Sequence, residues 1–326
     1  MSLDATAALA ARLTGAAVER VEPVRGGGNN RLFRVTSGGR SYALKIYAGN
    51  PAESRERYAR EFGGLSFLWR RGERRIAEPL VLDEGAQAAL YAWLDGAPGG
   101  PAGDADLAAM TDFARSLFEA RCDPAADALP EAREAVFSAG ELARQLSARL
   151  TRLRAAEAEH PELRPLLADI AREAARRVPG VGDDEPLAPA ARTLSPSDFG
   201  THNALRVPAG LAFIDFEYFG WDDPVKLVAD VLWHPGMALA APARQKFYAG
   251  AAEVYKVEPG FLSRFERDAP AYGLRWALIV LNEFLPEVWQ RRLAAGAVDD
   301  AQAARARQLD KAAGLVERSR RGLVIA

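Results

Sequence analysis

The stretch that decides the fold is SDFGTHNALRVPAGLAFIDFEY, residues 197–218. Asp198 and Asn203 stand five positions apart in a segment that we interpret as a loop. Two apolar runs follow, NALRV and LAFIDF, separated by a turn at residues 208–210, and this pattern predicts a β-hairpin. Asp215 lies at the far end of the second strand, so the hairpin would return it to the loop. We therefore expect three oxygen-bearing side chains to converge.

This set of side chains suits one kind of chemistry. A small number of carboxylate and amide oxygens is a donor set for Mg²⁺, which usually keeps substrate phosphates among its ligands. Transfer of a phosphoryl group from ATP needs one Asp to accept the proton of the attacking hydroxyl, and an Asn and a second Asp to hold the metal. Taken alone, an Asp and an Asn five apart more often only brace their own loop.

The N-terminal part of the chain has the texture of a small sheet. Short apolar runs between Gly and Asn turns predict strands near residues 20–25, 31–36, 41–47, 78–83 and 88–94, with a helix at 52–72. Lys45 lies in the third strand, where it could pair with the α- and β-phosphates of ATP. Glu61 on the helix is the first choice for the carboxylate that orients Lys45, and Glu56 is the second.

A glycine-rich turn lies between the first two predicted strands. It consists of Gly26, Gly27 and Gly28, followed by two asparagines. Glycine lets backbone N–H groups approach an anion without a Cβ in the way. We expect this turn to cover the phosphates of the nucleotide.

Beyond residue 95 the composition changes. A Gly/Pro cluster at 95–104 is the best boundary, and apolar residues at helical spacing dominate the sequence after it. Predicted helices lie near 3–18, 105–122, 131–155, 161–177, 223–232, 242–255, 261–285 and 299–319. The fold class is α+β with two lobes: residues 1–95 form a small antiparallel sheet with one helix and bind nucleotide, and residues 96–326 form a larger, mainly helical lobe with the catalytic loop and the acceptor pocket.

In these motifs the chain resembles the aminoglycoside phosphotransferase and choline kinase superfamily, which has a protein-kinase-like fold. The loop from Ser197 to Asn203 resembles the family's H-G-D-x-x-x-x-N, and I-D-F-E-Y at 214–218 is similar to choline kinase relatives. The resemblance spans about residues 20–235. It implies that Asp198 is the catalytic Asp and that Asn203 and Asp215 are the metal ligands. It also implies ATP and Mg²⁺ as cofactors, and a hinge strand whose backbone at Ala92 and Leu94 hydrogen-bonds adenine. One position departs from the family, because Pro196 replaces the loop histidine.

The acceptor site is the least defined part of the sequence. His202, Glu217, Trp276 and Glu283 are candidates to line it, since aromatic and acidic side chains can hold a cationic or hydroxyl-bearing molecule. His202 could equally brace the loop, and Trp276 could simply pack the helical lobe. The acidic excess from residue 96 onward is small, which favours a metabolic alcohol, amino alcohol or sugar over an aminoglycoside.

Composition excludes several classes of function. The 326 residues carry a formal net charge of −2, which gives no basic footprint for nucleic acid. The single cysteine excludes an intramolecular disulfide. We find no targeting segment and no apolar run long enough to span a membrane, so we expect a cytoplasmic protein with a small-molecule partner. Oligomeric state is left open.

Two other functions remain as alternatives to a small-molecule kinase. The replacement by Pro196 favours a catalytically silent, nucleotide-binding pseudokinase that acts as a sensor or partner module. The presence of Lys45, Asp198, Asn203 and Asp215 argues against that alternative. A kinase acting on protein is disfavoured, because no A-P-E-like segment follows Asp215.

Overall fold

A computed structural model describes residues 2–24, 30–178, 185–294 and 300–323. Its helices are α1 (Leu3–Thr14), α2 (Pro51–Arg70), α3 (Asp104–Ala120), α4 (Ala139–Arg154), α5 (Leu163–Arg177), α6 (Pro224–Trp233), α7 (Ala241–Tyr255), α8 (Phe261–Val280), α9 (Pro286–Ala294) and α10 (Ala301–Arg321). Its strands are β1 (Val18–Val24), β2 (Asn30–Ser37), β3 (Arg40–Tyr47), β4 (Pro79–Asp83), β5 (Ala88–Ala92), β6 (Ala97–Pro98), β7 (Thr193–Ser195), β8 (Ala204–Val207), β9 (Gly210–Phe213) and β10 (Gly220–Asp222).

The N-terminal strands form a five-stranded antiparallel sheet in the order β1-β2-β3-β5-β4. Successive residues of a strand point to opposite faces, and this alternation divides the sheet. Leu44 faces a buried apolar cluster with α1, whereas its neighbour Lys45 points to the opposite face. The cluster consists of Leu9, Ala10, Phe33, Val35, Leu44, Ala88 and Leu90. The apolar side of the sheet therefore fixes the direction in which Lys45 points.

Helix α2 supplies the partner of Lys45. Its N-cap is Asn50, whose side chain accepts a hydrogen bond from the N–H of Glu53 at 2.9 Å. Tyr58, Glu61 and Leu65 follow at helical spacing and are all buried, so Glu61 lies on the inward face. A Cβ at Gly64 would lie 2.3 Å from the ring of Phe219, which explains a glycine in mid-helix.

A second small sheet, β6-β8-β9, contains the predicted hairpin. Strands β8 and β9 pair from Ala204 with Phe213 to Val207 with Gly210. Phe213 also forms a parallel bridge with Ile76, and its N–H donates to the carbonyl of Arg75 at 2.7 Å. These bonds attach the hairpin to the chain segment that leads into β4.

The chain separates into two compact units of backbone contacts. The first unit comprises Met1–Gly100, Ser116–Arg133 and Leu194–Trp221, and the second comprises Pro101–Arg115, Glu134–Thr193 and Asp222–Ala326. In the second unit, α8 packs against α4, α5, α6 and α10, and every residue of α6 is buried. The first unit contains the five-stranded sheet together with the loop around Asp198.

The mixed architecture predicted from the sequence is confirmed: an antiparallel sheet in the N-terminal region and a helical C-terminal part. Several element boundaries differ. The helix expected at 131–155 begins only at Ala139, because the Ser138 side chain accepts from the N–H of Glu141 and caps it there. The N-terminal helix ends at Thr14, where Gly15 adopts the left-handed conformation of a C-cap. None of the described helices combines the length and hydropathy that crossing a bilayer requires.

Candidate active site

The loop that carries Asp198 is sharply bent. Ser197 has a φ of 69°, and the N–H of Asp198 donates to the carbonyl of Pro196 at 2.9 Å, which closes a three-residue γ-turn. The N–H of Ser197 donates to Oγ of Ser195 at 3.0 Å. Pro196, the residue that departs from the family pattern, therefore holds the backbone of Asp198 through its carbonyl. The Asp198 side chain is 39% exposed.

Both carboxylate oxygens of Asp198 are hydrogen-bonded. His202 Nε2 lies 2.9 Å from Oδ1. Asn203 Nδ2 donates to Oδ2 at 3.0 Å and to the backbone carbonyl of Asp198 at 2.9 Å. His202 and Asn203 belong to a 3₁₀ turn, Thr201–Asn203, which presents both side chains to Asp198. His202, a candidate for the acceptor site, thus contacts the catalytic candidate itself.

The hairpin returns Asp215 to this loop. The N–H of Ile214 donates to the carbonyl of Asn203 at 2.9 Å, so Asp215 follows directly on a residue bonded to Asn203. Asp215 has a φ of 65°, a left-handed conformation that is uncommon for a residue with a side chain. Its side chain is 43% exposed. Backbone strain of this kind concentrates at functional sites.

Lys45 connects Asp215 to helix α2. Its Nζ lies 2.7 Å from Glu61 Oε2 and 2.7 Å from Asp215 Oδ1. Burial alone would lower the pKa of Lys45, but the charges of Glu61 and Asp215 outweigh burial and raise it above its ordinary value. Burial raises the pKa of Glu61, and the adjacent Lys45 opposes that rise. Lys45 therefore stays charged throughout the neutral range.

Two tyrosines that the sequence analysis missed stabilise this ion pair. The hydroxyl of Tyr47 donates to Glu61 Oε2 at 2.7 Å and lies 2.9 Å from the hydroxyl of Tyr91. Burial and the charge of Glu61 raise the pKa of Tyr47 well above its ordinary value, so the phenol stays a donor. Tyr47 lies two positions after Lys45 and shares its face of the strand, and that spacing was the available signal.

Glu217 lies in a buried polar cluster of the first unit. Its Oε2 accepts a hydrogen bond from Asn30 Nδ2 at 2.7 Å, and Arg57 Nη1 donates to Asn30 Oδ1 at 3.0 Å. The other two acceptor candidates belong to the second unit. Trp276 Nε1 donates to Asp230 Oδ1 at 2.7 Å, and Glu283 accepts from Gln308 Nε2 at 2.7 Å and also pairs with Arg292.

The remaining nucleotide candidates are placed as follows. Gly26, Gly27 and Gly28 lie outside the described residues. The N–H of Ala92 is engaged with the carbonyl of Glu78 at 2.9 Å. Leu94 lies beyond the end of β5, because pairing in the sheet stops at Ala92.

The side chains around Asp215 fit a divalent cation. The amide nitrogen of Asn203 donates a hydrogen bond to Asp198, so its amide oxygen can serve as a metal ligand. Asp215 uses Oδ1 for Lys45 and is nearly half exposed. An amide oxygen and a carboxylate are hard oxygen donors, the type that Mg²⁺ prefers.

Comparison with known proteins identifies the family and the fold. A sequence model described as the phosphotransferase enzyme family (APH) matches residues 20–263. A spectinomycin phosphotransferase solved with ADP and spectinomycin is 13% identical with a TM-score of 0.62, covering 100% of this chain and 99% of its own. A choline/ethanolamine kinase family protein from Mesorhizobium loti is 18% identical with a TM-score of 0.56, covering 100% and 99%.

A thermostable aminoglycoside phosphotransferase mutant, solved with ADP and hygromycin B, is also similar. It is 16% identical with a TM-score of 0.57, and the match covers 96% of this chain and 98% of that one. At these identities the similarity concerns the fold. Among curated proteins, none matches the sequence at a significant level.

Proposed function

The chain belongs to the phosphotransferase enzyme family, and we propose that it is an ATP- and Mg²⁺-dependent kinase that transfers the γ-phosphoryl group to a hydroxyl of a small molecule. The observation that carries the proposal is Lys45, held between Glu61 and the half-exposed Asp215. A cation in that position, with one exposed carboxylate beside it, suits the phosphates of a metal-bound nucleotide.

Each residue has a separate task in this proposal. Lys45 binds the α- and β-phosphates, and Glu61, fixed by Tyr47, keeps its ammonium group directed at them. Asn203 and Asp215 would hold Mg²⁺, which neutralises charge on the phosphates when bound. Gly26, Gly27 and Gly28 would cover the phosphates, and the backbone at Ala92 and Leu94 would bind the adenine.

Asp198 orients the acceptor hydroxyl and accepts its proton. The hydrogen bonds from His202 and Asn203 hold its carboxylate in one orientation, so little reorganisation is needed when the hydroxyl arrives. In phosphoryl transfer, positioning and charge stabilisation supply most of the rate enhancement. The γ-turn at Ser197 supports this role, because Pro196 fixes the backbone of Asp198 without a loop histidine.

For the acceptor, we propose a metabolic alcohol, amino alcohol or sugar rather than an aminoglycoside. A polycationic drug would need unpaired acidic side chains. In the second unit several acidic side chains are already paired with arginines: Glu134 with Arg149 and Arg275, Asp268 with Arg267, and Glu283 with Arg292. Trp276, Glu283 and His202 stay as candidates for the acceptor site.

A phosphate-transfer screen tests the proposal. The protein is incubated with γ-labelled ATP, Mg²⁺ and pooled amino alcohols, sugars, nucleosides, hydroxy-amino acids and aminoglycosides. We expect label in one pool, and no label with Asp198→Asn, which should still bind Mg²⁺-ATP. Asp215→Ala should instead weaken Mg²⁺-ATP binding, and an unchanged affinity would remove Asp215 as a ligand.

The same screen separates the kinase from the silent alternative. If Mg²⁺-ATP binds tightly and no pool accepts label, the result favours a nucleotide-binding module. If Mg²⁺-ATP does not bind at all, both functions are excluded.

A further inference from the structure

We propose that Glu217, Asn30 and Arg57 form a buried positioning cluster for the nucleotide site, so that Glu217 acts on nucleotide binding and not on the acceptor. We call these three residues the Glu217 cluster. The inference rests on the proposed function, because it assigns the cluster to the binding of Mg²⁺-ATP. It replaces our expectation from sequence that Glu217 lines the acceptor site.

Two hydrogen bonds link the three side chains in the order Arg57, Asn30, Glu217. Arg57 Nη1 donates to Asn30 Oδ1 at 3.0 Å, and Asn30 Nδ2 donates to Glu217 Oε2 at 2.7 Å. Arg57 Nη1 also lies 3.7 Å from Glu217 Oε2. The side chain of Arg57 is 7% exposed and that of Glu217 is 4% exposed. The asparagine amide thus links a buried cation to a buried anion, and Tyr218 also hydrogen-bonds to Glu217.

The charged side chains of the Glu217 cluster are buried, and this burial indicates a role other than stability. Two buried charges lose their hydration, and their attraction often only offsets that loss, so an apolar trio would serve stability equally well. What a hydrogen-bonded ionic trio adds is a fixed relative position for the elements that carry it. Here those elements are the start of β2, helix α2 and the segment after β9.

Each member of the cluster lies next to a residue of the Lys45 site. Arg57 precedes Glu61 by one helical turn on the buried face of α2. Glu217 follows Asp215 by two residues. Asn30 pairs across the sheet with Tyr47, whose hydroxyl holds Glu61. The cluster therefore fixes both carboxylates that flank Lys45, and it fixes the first residue of the strand that follows the glycine-rich turn.

The backbone beside Arg57 is shaped to admit its guanidinium group. Arg57 Nη2 donates to the carbonyl of Ala48. The next residue, Gly49, has a φ of 128°, and a Cβ there would lie 3.0 Å from Arg57 Nη2. Because Gly49 has no Cβ, the backbone after β3 can pass close to the guanidinium group of Arg57. The position of Arg57 is therefore also determined by the chain at the end of β3.

A polarity swap tests the cluster by rescue. Asn30→Asp places a second carboxylate against Glu217, so we expect the affinity for Mg²⁺-ATP, measured by calorimetry, to fall about tenfold or more. Adding Glu217→Gln should bring the affinity back to within about threefold of the wild type, because the introduced amide can donate to the introduced carboxylate while Arg57 still donates to it. The net charge of the double variant equals that of the wild type.

The matched control is Asn50→Asp. Asn50 is the exposed N-cap of α2, so the same substitution adds the same charge close in sequence without entering the cluster. We expect an unchanged affinity for Mg²⁺-ATP. Thermal midpoints of all variants separate positioning from folding, because a purely structural cluster would lower the midpoint of Asn30→Asp and leave its affinity for Mg²⁺-ATP unchanged.

The outcomes distinguish this inference from the proposed function. If the wild type binds no Mg²⁺-ATP, the proposed function fails and the inference falls with it. If the wild type binds and Asn30→Asp binds equally well, the inference alone is wrong. If the double variant stays as weak as Asn30→Asp, the hydrogen-bonded polarity is not what positions the site, and the inference is likewise overturned. Once the acceptor is known, a raised KM for the acceptor alone in Glu217→Gln would return Glu217 to the acceptor site.

Discussion

Lys45 in the first unit and Lys226 in the second each lie between two carboxylates, with very different surroundings. Lys45 Nζ is 2.7 Å from both Glu61 and Asp215. Lys226 Nζ is 2.7 Å from Asp222 Oδ2 and 3.3 Å from Asp230 Oδ2. The Lys226 side chain is 0% exposed and its partners at most 5%, whereas Asp215 is 43% exposed.

The difference shows which feature separates a site from a structural network. The partners of Lys226 lie four residues before and after it, so helix α6 and its N-terminus bring them together locally. Arg275 Nη1 lies 3.2 Å from Asp230 Oδ1 and adds a second cation to the network. Both carboxylates are buried, so neither is accessible to a ligand from solvent. At Lys45 one carboxylate faces solvent, so phosphates and a metal could share its charge. Solvent access to a carboxylate partner, and not the presence of an ion pair, distinguishes the proposed nucleotide site from the network around Lys226.

The largest effect on the free energy of unfolding is expected from breaking the buried ion network of Lys226, Asp222 and Asp230. Lys226→Met leaves Asp222 and Asp230 buried with one cation fewer, and removing one member of a buried ion network costs about 3–5 kcal/mol of unfolding free energy. Urea denaturation followed by circular dichroism measures this loss. A loss below about 1 kcal/mol would contradict a tightly coupled network.

The same substitution at the open site should act on activity instead. Lys45→Met removes the cation that we propose binds the phosphates, and we expect kcat/KM to fall about 10²–10³-fold, the range for loss of one electrostatic contact in a transition state. Stability should fall less than in Lys226→Met, because Asp215 is exposed to water and Glu61 can take up a proton. Steady-state kinetics and urea denaturation on both variants complete the comparison. Equal stability losses with unchanged activity would remove the distinction.

A third prediction concerns pH and the carboxyl group next to Asp222. Burial raises the pKa of Asp223 from 3.8 to about 6, although Arg264 opposes the rise. The folded state therefore binds this proton more tightly than the unfolded state. The resulting stability is full below pH 4 and is lost as the pH rises through 6, and the total is about 3 kcal/mol.

Asp223→Asn removes that titration, since an amide binds no proton in this range. The difference in unfolding free energy between wild type and variant should therefore change by about 2.5 kcal/mol between pH 4 and pH 7.5, in favour of the wild type at low pH. Denaturation at several pH values measures it. A constant difference would show that Asp223 has an ordinary pKa.

The smallest effect on activity is expected at Tyr47, which donates a hydrogen bond to Glu61, the partner of Lys45. Tyr47→Phe removes the donor to Glu61 Oε2, and one net hydrogen bond is worth about 1 kcal/mol, or about fivefold in kcat/KM. Tyr91→Phe is the matched control, because its hydroxyl contacts Tyr47 and not Glu61. We expect Tyr91→Phe to change kcat/KM by less than Tyr47→Phe. The reverse order would contradict the arrangement.

Local patterns made part of the site predictable. The hairpin at 204–213 follows from alternating apolar residues around a turn, and strand pairing then places Asp215 beside Asn203. Lys45 and Glu61 were predicted from their places on a strand and a helix, and the structure brings them together at 2.7 Å. In each case the relevant distance in the chain is short, or a repeating pattern fixes the direction of the side chain.

Other contacts had no local signal. Asn30 and Glu217 meet across 187 positions of sequence, and no periodicity relates them. His202 points at Asp198 because a 3₁₀ turn directs it there, a detail of backbone angles that residue types do not specify. The helix boundary at Ala139 depended on one capping side chain within a longer run of helix-forming residues.

By itself the sequence determined the order of elements, the five-stranded sheet, the hairpin and the residues that carry charge near it, because alternation, helical spacing and turns act over a few residues. The tertiary structure decided which charges stay open and which are closed off. Lys45 and Lys226 are both basic residues with acidic neighbours, and only packing exposes Asp215 and buries Asp222. Exposure depends on everything that surrounds a side chain, so it is settled only when the whole chain is folded.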